Sequence, residues 1–212
     1  MSTAKTPRPL AQIAAGLLVL AAITGIYLFQ AEGRKAGPAP VAGAAAPAAS
    51  GLSKDLATGA LAAFLMKPER PVVADAAFQD ATGKPLKVSD WKGRVALINL
   101  WATWCAPCRK EMPDLAKLQQ QLGSSDFEVV AVSVDRKGAE ASSAFLKETG
   151  ADSLRLYVEP TTGILNEFQA LGLPFTILVD RQGREIGRLL GPADWSSPEA
   201  LALVKAALAE PK

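Results

Sequence analysis

The sequence predicts an α/β domain built on a mixed sheet with helices on both faces. Three observations carry that expectation. Arg94 to Trp101 (RVALINLW) and Phe127 to Val134 (FEVVAVSV) are continuous apolar runs of strand length, as strands buried on both faces require. Segments of helical spacing follow each of them, so strand and helix alternate. The chain then closes with two more strands, Pro174 to Asp180 and Glu185 to Leu190, and an amphipathic helix, which adds an antiparallel pair to the sheet.

The 212 residues fit one ordinary domain plus extra segments. Residues 1–9 carry Lys5 and Arg8. Leu10 to Phe29 is a nearly unbroken apolar run in which only Gln12 and Thr24 carry polar side chains. At about 1.5 Å per residue such a helix covers the roughly 30 Å hydrocarbon core of a bilayer. Residues 10–30 are expected to be an uncleaved transmembrane signal anchor, with 1–9 cytoplasmic. A cleavable signal peptide is the alternative. Its apolar region usually spans about 7–15 residues and ends at small side chains, whereas this run is longer and ends in Tyr27, Leu28 and Phe29. Arg34 and Lys35 flank the other side, so charge bias barely decides the orientation.

Residues 31–50 are rich in Ala, Pro and Gly and read as a linker. Residues 51–71 form an N-terminal extension. Within it, 52–66 has apolar positions at helical spacing, predicting a helix packed on the domain or lying beside the membrane. Pro68 and Pro71 close it. Residues 72–212 are the folded domain. Asp80 to Gly83 (DATG) reads as a hairpin turn. Helices are expected over Pro107–Leu122, Ala139–Glu148 and Ile164–Leu171, a short strand over Leu154–Val158, and a final helix over Pro198–Leu208 with Ser197 as N-cap.

Hydrophobic residues make up 49% of the chain, enough for a packed core. Residues 1–71 hold seven Lys/Arg against three Asp/Glu, and 72–212 hold sixteen against eighteen. The domain thus lacks a basic stripe, and nucleic-acid binding is not expected. Histidine is absent altogether, which excludes a Ser-His-Asp triad, a Cys-His pair and His-ligated metal sites. Two cysteines alone exclude a four-cysteine zinc site. Neither a metal nor a cofactor is expected.

Those two cysteines carry the chemistry. Trp104 to Cys108 reads WCAPC, where a buried strand turns into a helix. Cys105 stands at the helix start, where free N–H groups and the macrodipole stabilise a thiolate. Cys108 lies about one turn on and can resolve a mixed disulfide. Pro107 fits the first turn, where its missing N–H costs nothing. A structural disulfide would close too short a loop to stabilise much, half of a metal site has nothing to complete it, and inert core cysteines rarely fall together at a helix start behind two tryptophans. Trp101 reads as core and Trp104 as an exposed apolar lip for a partner protein. Glu111, three residues after Cys108, is either a solvated helix carboxylate or a group beneath the thiols that exchanges a proton with Cys108. Pro113 should bend the helix. Gly172-Leu-Pro174 precedes a strand, and the physics of X-Pro bonds alone does not make it cis.

WCAPC, the strand before it and the distant Gly-x-Pro together resemble the thioredoxin superfamily. Within it, LINLWATWCAPCRKEMP, LGLPFTILVDRQGREI and DATGKPLKVSDWKGR are similar to the TlpA/ResA branch of membrane-anchored periplasmic thioredoxins, over about residues 72–210 and nearest its TlpA-like members. The resemblance implies a thioredoxin-like fold with Pro174 cis across a substrate groove from the cysteines. Trp104, Ala106, Pro107, Leu173 and Pro174 are then the substrate-binding residues, Cys105 the exposed nucleophile, Cys108 the buried resolving thiol and Glu111 the active-site glutamate. The buried aspartate of thioredoxins falls at Asn99, so proton transfer there is unavailable.

The resemblance further implies a reductant in the bacterial inner membrane, its domain in the periplasm, re-reduced by a CcdA/DsbD-type membrane donor. TlpA-like members reduce Sco-type copper chaperones and the copper subunit of cytochrome oxidase, and ResA-like members reduce the haem-attachment cysteines of apocytochrome c. The oxidase-assembly role is the first expectation and apocytochrome c reduction the alternative. A disulfide-forming oxidase remains open, because the potential sets the direction. A copper chaperone would need a CxxxC pair and a histidine, and this chain has neither. An intact CxxC argues against a non-catalytic adaptor.

Overall fold

The computed structural model describes residues 52–212. The expected cytoplasmic end, membrane anchor and linker lie outside the described residues. Among the described residues no helix is long and apolar enough to cross a membrane.

The strands are β1 (Leu65–Met66), β2 (Ala77–Asp80), β3 (Pro85–Lys87), β4 (Val95–Trp101), β5 (Phe127–Ser133), β6 (Leu156–Val158), β7 (Phe175–Val179) and β8 (Glu185–Leu190). The helices are α1 (Ala106–Leu122), α2 (Gly138–Glu148), α3 (Gly163–Glu167) and α4 (Pro198–Ala209). The sheet runs β1-β8-β7-β4-β5-β6-β2-β3. β4 pairs parallel with β5 and antiparallel with β7. Every residue of β4 and β5 is buried, so both sheet faces are covered there, as their unbroken apolar runs require. The DATG turn joins the antiparallel pair β2–β3, its Asp80 Oδ1 accepting from Thr82 N at 2.8 Å. Ser197 caps α4 by accepting from Ala200 N at 3.3 Å.

Three sequence expectations need correction. Residues 52–66 do not form a helix. They form two 3-10 turns, Lys54–Leu56 and Gly59–Leu61, and then β1. Buried Leu61 and Phe64 have the i,i+3 spacing that a 3-10 turn shares with a helix. Gly59 breaks any longer helix, since it sits at φ +52° and a side chain there would meet Glu199. The segment instead seats β1 against β8, with Leu65 opposite Arg188 and Met66 opposite Gly187.

The helix expected over Ile164–Leu171 stops at Glu167. Gln169 lies at φ +55°, Ala170 N–H donates to Leu165 O and Gln169 N–H to Asn166 O. This is a Schellman end, formed by a residue other than the usual glycine. The strand expected from Leu154 begins at Leu156. α1 runs through Pro113 to Leu122.

Candidate active site

Cys105 is the N-cap of α1, in extended backbone, and Pro107 lies in the first turn. Its Sγ accepts a hydrogen bond from Cys108 N at 3.2 Å. The two sulfurs are joined in a disulfide with the Cα atoms 5.3 Å apart. β4 aims this turn: its buried run ends in Trp101, and the chain crosses Ala102 to Trp104 before the helix begins. Trp101 is wholly buried and stacks on Phe145 at 5.0 Å between ring centroids, which makes it core, as the sequence suggests.

Trp104 is 69% exposed, and Ala106 and Pro107 are exposed beside it. The expectation of an exposed Cys105 is corrected: it is only 4% exposed, and Cys108 is fully buried. Its Sγ is bonded to the buried Cys108 Sγ and takes the Cys108 N–H, which turns it inward.

The Leu173–Pro174 bond is cis. The register pairs Leu100 with Phe175, so Pro174 stands at the end of β7 adjoining the end of β4 from which the cysteine turn departs. Pro174 is buried and Leu173 half-buried. Gly191 N–H donates to Pro174 O at 2.9 Å.

Glu111 is 2% exposed and lies three residues beyond Cys108, on the same side of α1. Its Oε1 accepts from Asn99 Nδ2 at 2.8 Å and its Oε2 from Ala193 N at 3.2 Å. Burial pushes its pKa up from 4.5 to about 7, and the Asn99 and Ala193 hydrogen bonds pull weakly the other way. Buried Trp195 adds a small downward pull without its Nε1 making a full hydrogen bond. A nearby Asp114 charge raises it further. Asn99 Nδ2 also donates to Thr176 Oγ1 at 2.9 Å, and the β4–β7 register pairs these two residues.

Sequence reasoning assigned no role to Thr176, Ala193, Trp195 or the Thr103–Asp135 contact. Asp135 Oδ2 accepts from Thr103 N at 3.1 Å and from the Thr103 hydroxyl, and its Oδ1 accepts from Lys137 N at 2.9 Å. Burial raises the Asp135 pKa, but these hydrogen bonds outweigh it and hold the carboxyl below its usual range. The contact ties the turn carrying the cysteines to the loop after β5. Thr176 sits two residues beyond Pro174, and that nearness was its only signal. The position of Asp135 just after β5 carried none.

The Redoxin family model matches residues 42–204. The chain belongs to the Redoxin family. This redoxin is similar to the thiol-disulfide oxidoreductase ResA of Bacillus subtilis, 30% identical over 113 residues, 53% of this chain and 62% of ResA. It is similar too to the thiol:disulfide interchange protein HelX of Rhodobacter capsulatus, 34% identical over 122 residues, 58% of this chain and 62% of HelX. The match spans less than two thirds of either relative's length. Among solved structures, a Chlorobium tepidum protein assigned as thiol:disulfide interchange protein DsbE superposes with TM-score 0.59 at 27% identity, covering 66% of this redoxin and 96% of that chain. A DsbF homologue from Corynebacterium diphtheriae gives 0.53 at 26%, covering 68% and 88%. The fold is thioredoxin-like.

Proposed function

We propose that the chain is a thiol:disulfide oxidoreductase that reduces disulfides in partner proteins through Cys105 and Cys108. One observation carries this reading. Cys105 caps a 17-residue helix, takes the Cys108 N–H on its sulfur and is bonded to Cys108. In the reduced protein the same N–H and helix terminus favour a Cys105 thiolate.

The thiolate attacks one sulfur of the partner's disulfide and the other partner sulfur leaves. Glu111, its pKa raised by burial to about 7, takes the proton from Cys108, as a base matched to a thiol near neutral pH must. The Cys108 thiolate then attacks Cys105, closing the disulfide and freeing the second partner thiol. Trp104, Ala106, Pro107, Leu173 and Pro174 seat the partner segment.

The reading extends to place. Residues 10–30 anchor the chain in a bacterial inner membrane, residues 72–212 work in the periplasm, and a CcdA/DsbD-type donor restores the dithiol. The partners put first are a Sco-type copper chaperone and the copper subunit of cytochrome oxidase. Similarity to ResA favours a second reading, apocytochrome c.

Cys108→Ser in the full-length, membrane-bound protein tests both levels. It is expected to accumulate mixed disulfides through Cys105, and the captured protein names the partner class. Absence of any Cys105-dependent adduct, together with full insulin reduction by Cys105→Ser, would overturn the proposal.

A further inference from the structure

Cys108 is fully buried and Glu111 nearly so. During resolution a partner is bonded to Cys105 and covers the turn around it. The proton that Cys108 gives to Glu111 must still reach water. Beside Glu111 lies an open cleft of ≈ 360 Å³ lined by Ala60, Lys110, Glu111, Asp114, Pro192, Ala193 and Asp194. None of these is among the residues that seat the partner, Trp104, Ala106, Pro107, Leu173 and Pro174.

We infer that this cleft is the proton outlet of the active site, with the Asp114 carboxylate, fixed at its wall one turn from Glu111, as the charge that tunes the transfer. The inference rests on the proposed role of Glu111. Asp114 lies one turn beyond Glu111. Its Oδ1 accepts from Ser196 Oγ at 3.1 Å and Lys117 Nζ at 3.0 Å, which fixes the carboxylate at the cleft wall with 23% of its side chain exposed. The Ala193 N–H that orients Glu111 Oε2 comes from the same wall. The charged groups there are Lys110 and Asp114 from α1 and Asp194 from the loop before α4. From the sheet, β4 gives Glu111 the neutral Asn99 amide, whose other hydrogen goes to Thr176 Oγ1 of β7.

Protons and electrons balance. Cys108–SH passes its proton to the Glu111 carboxylate, and the thiolate displaces the partner sulfur from Cys105. The partner thiolate takes a proton from solvent, and protonated Glu111 returns one to water in the cleft. The Asp114 charge makes Glu111 a better acceptor by raising its affinity for the proton, while the water beside it keeps the exchange open.

The test uses reduced full-length protein and a peptide disulfide with a chromogenic leaving group, so that mixed-disulfide formation and resolution are timed separately. Ala60→Phe places a ring at an exposed position of the cleft wall. It is expected to slow resolution on the order of tenfold, with a larger solvent isotope effect, while formation stays within about twofold. Asp114→Asn keeps the acceptor for Ser196 and is expected to move the pH midpoint of resolution downward, a shift that a merely structural role would not cause. Should Ala60→Phe fail to fold, Ala60→Leu takes its place. Resolution at the wild-type rate in the blocked cleft, or an unmoved midpoint in Asp114→Asn, overturns the outlet if Glu111→Gln still resolves slowly. Wild-type resolution in Glu111→Gln instead removes the reading beneath it.

Discussion

Asn99 Nδ2 donates to Glu111 Oε1 at 2.8 Å across the interface between β4 and α1. A neutral amide therefore stands beside the buried carboxylate on the cysteine helix. It stabilises the charged form without adding a second acid. Asn99→Leu removes that donor and the one to Thr176. The expected result is a higher pH midpoint for Glu111, read by NMR of its side-chain carboxyl carbon, and a stability loss of about 1–3 kcal/mol. A midpoint that falls would contradict this assignment of the hydrogen bond.

Glu111 also makes stability depend on pH. Its pKa is about 7 in the fold against 4.5 ordinarily, so the folded state holds the proton more tightly than the unfolded chain. Its contribution is greatest below about pH 4.5, is lost as pH rises to 7 and is flat above that. The loss is of order 3 kcal/mol. Urea unfolding of the oxidised protein at pH 5 and pH 8 should show the wild type losing more stability over this interval than Glu111→Gln. Equal losses in the two proteins would show that burial does not raise this group.

Trp104 presents most of its indole to solvent beside a buried disulfide. Trp104→Ala should change stability by less than about 0.5 kcal/mol, as surface changes do. It should raise KM for a protein disulfide severalfold while leaving reduction of a small aromatic disulfide nearly unchanged. Steady-state kinetics with both substrates would separate a docking residue from one that merely packs, and parallel losses on both would count against docking.

Gly187 lets β1 approach β8. A Cβ there would overlap Phe64 Cε1 and lie 2.6 Å from Leu65 O, and the second is backbone that cannot swing aside. Gly187→Ala is expected to cost about 1–3 kcal/mol by overpacking and to expose the amides of 64–67 to hydrogen exchange. Wild-type protection of those amides would show that the strand does not need the glycine.

Much of the architecture is legible along the chain because it is local. β4 and β5 follow from their unbroken apolar runs, the β2–β3 hairpin from DATG, and the start of α4 from Ser197 and Pro198. What failed depends on contacts between distant segments. The helical spacing of 52–66 is equally the spacing of a 3-10 turn, and only the fit of Phe64 against Gly187 decides for β1. α3 ends early because Gln169 adopts a left-handed conformation that its side chain does not advertise. Thr103 and Asp135 meet only once β4 and β5 lie in register.

The sequence by itself determined the chemistry: two cysteines one helical turn apart, no histidine to assist them, and a glutamate one further turn along. Those facts are fixed by spacing in a helix. The tertiary structure decided what the glutamate is worth. The Asn99 amide, the Ala193 N–H and the burial that lifts Glu111 toward neutrality come from β4 and from the loop before α4, brought together by packing. The same packing decided that Cys105 is covered in the disulfide while Trp104 is not, because exposure depends on which segments pack together.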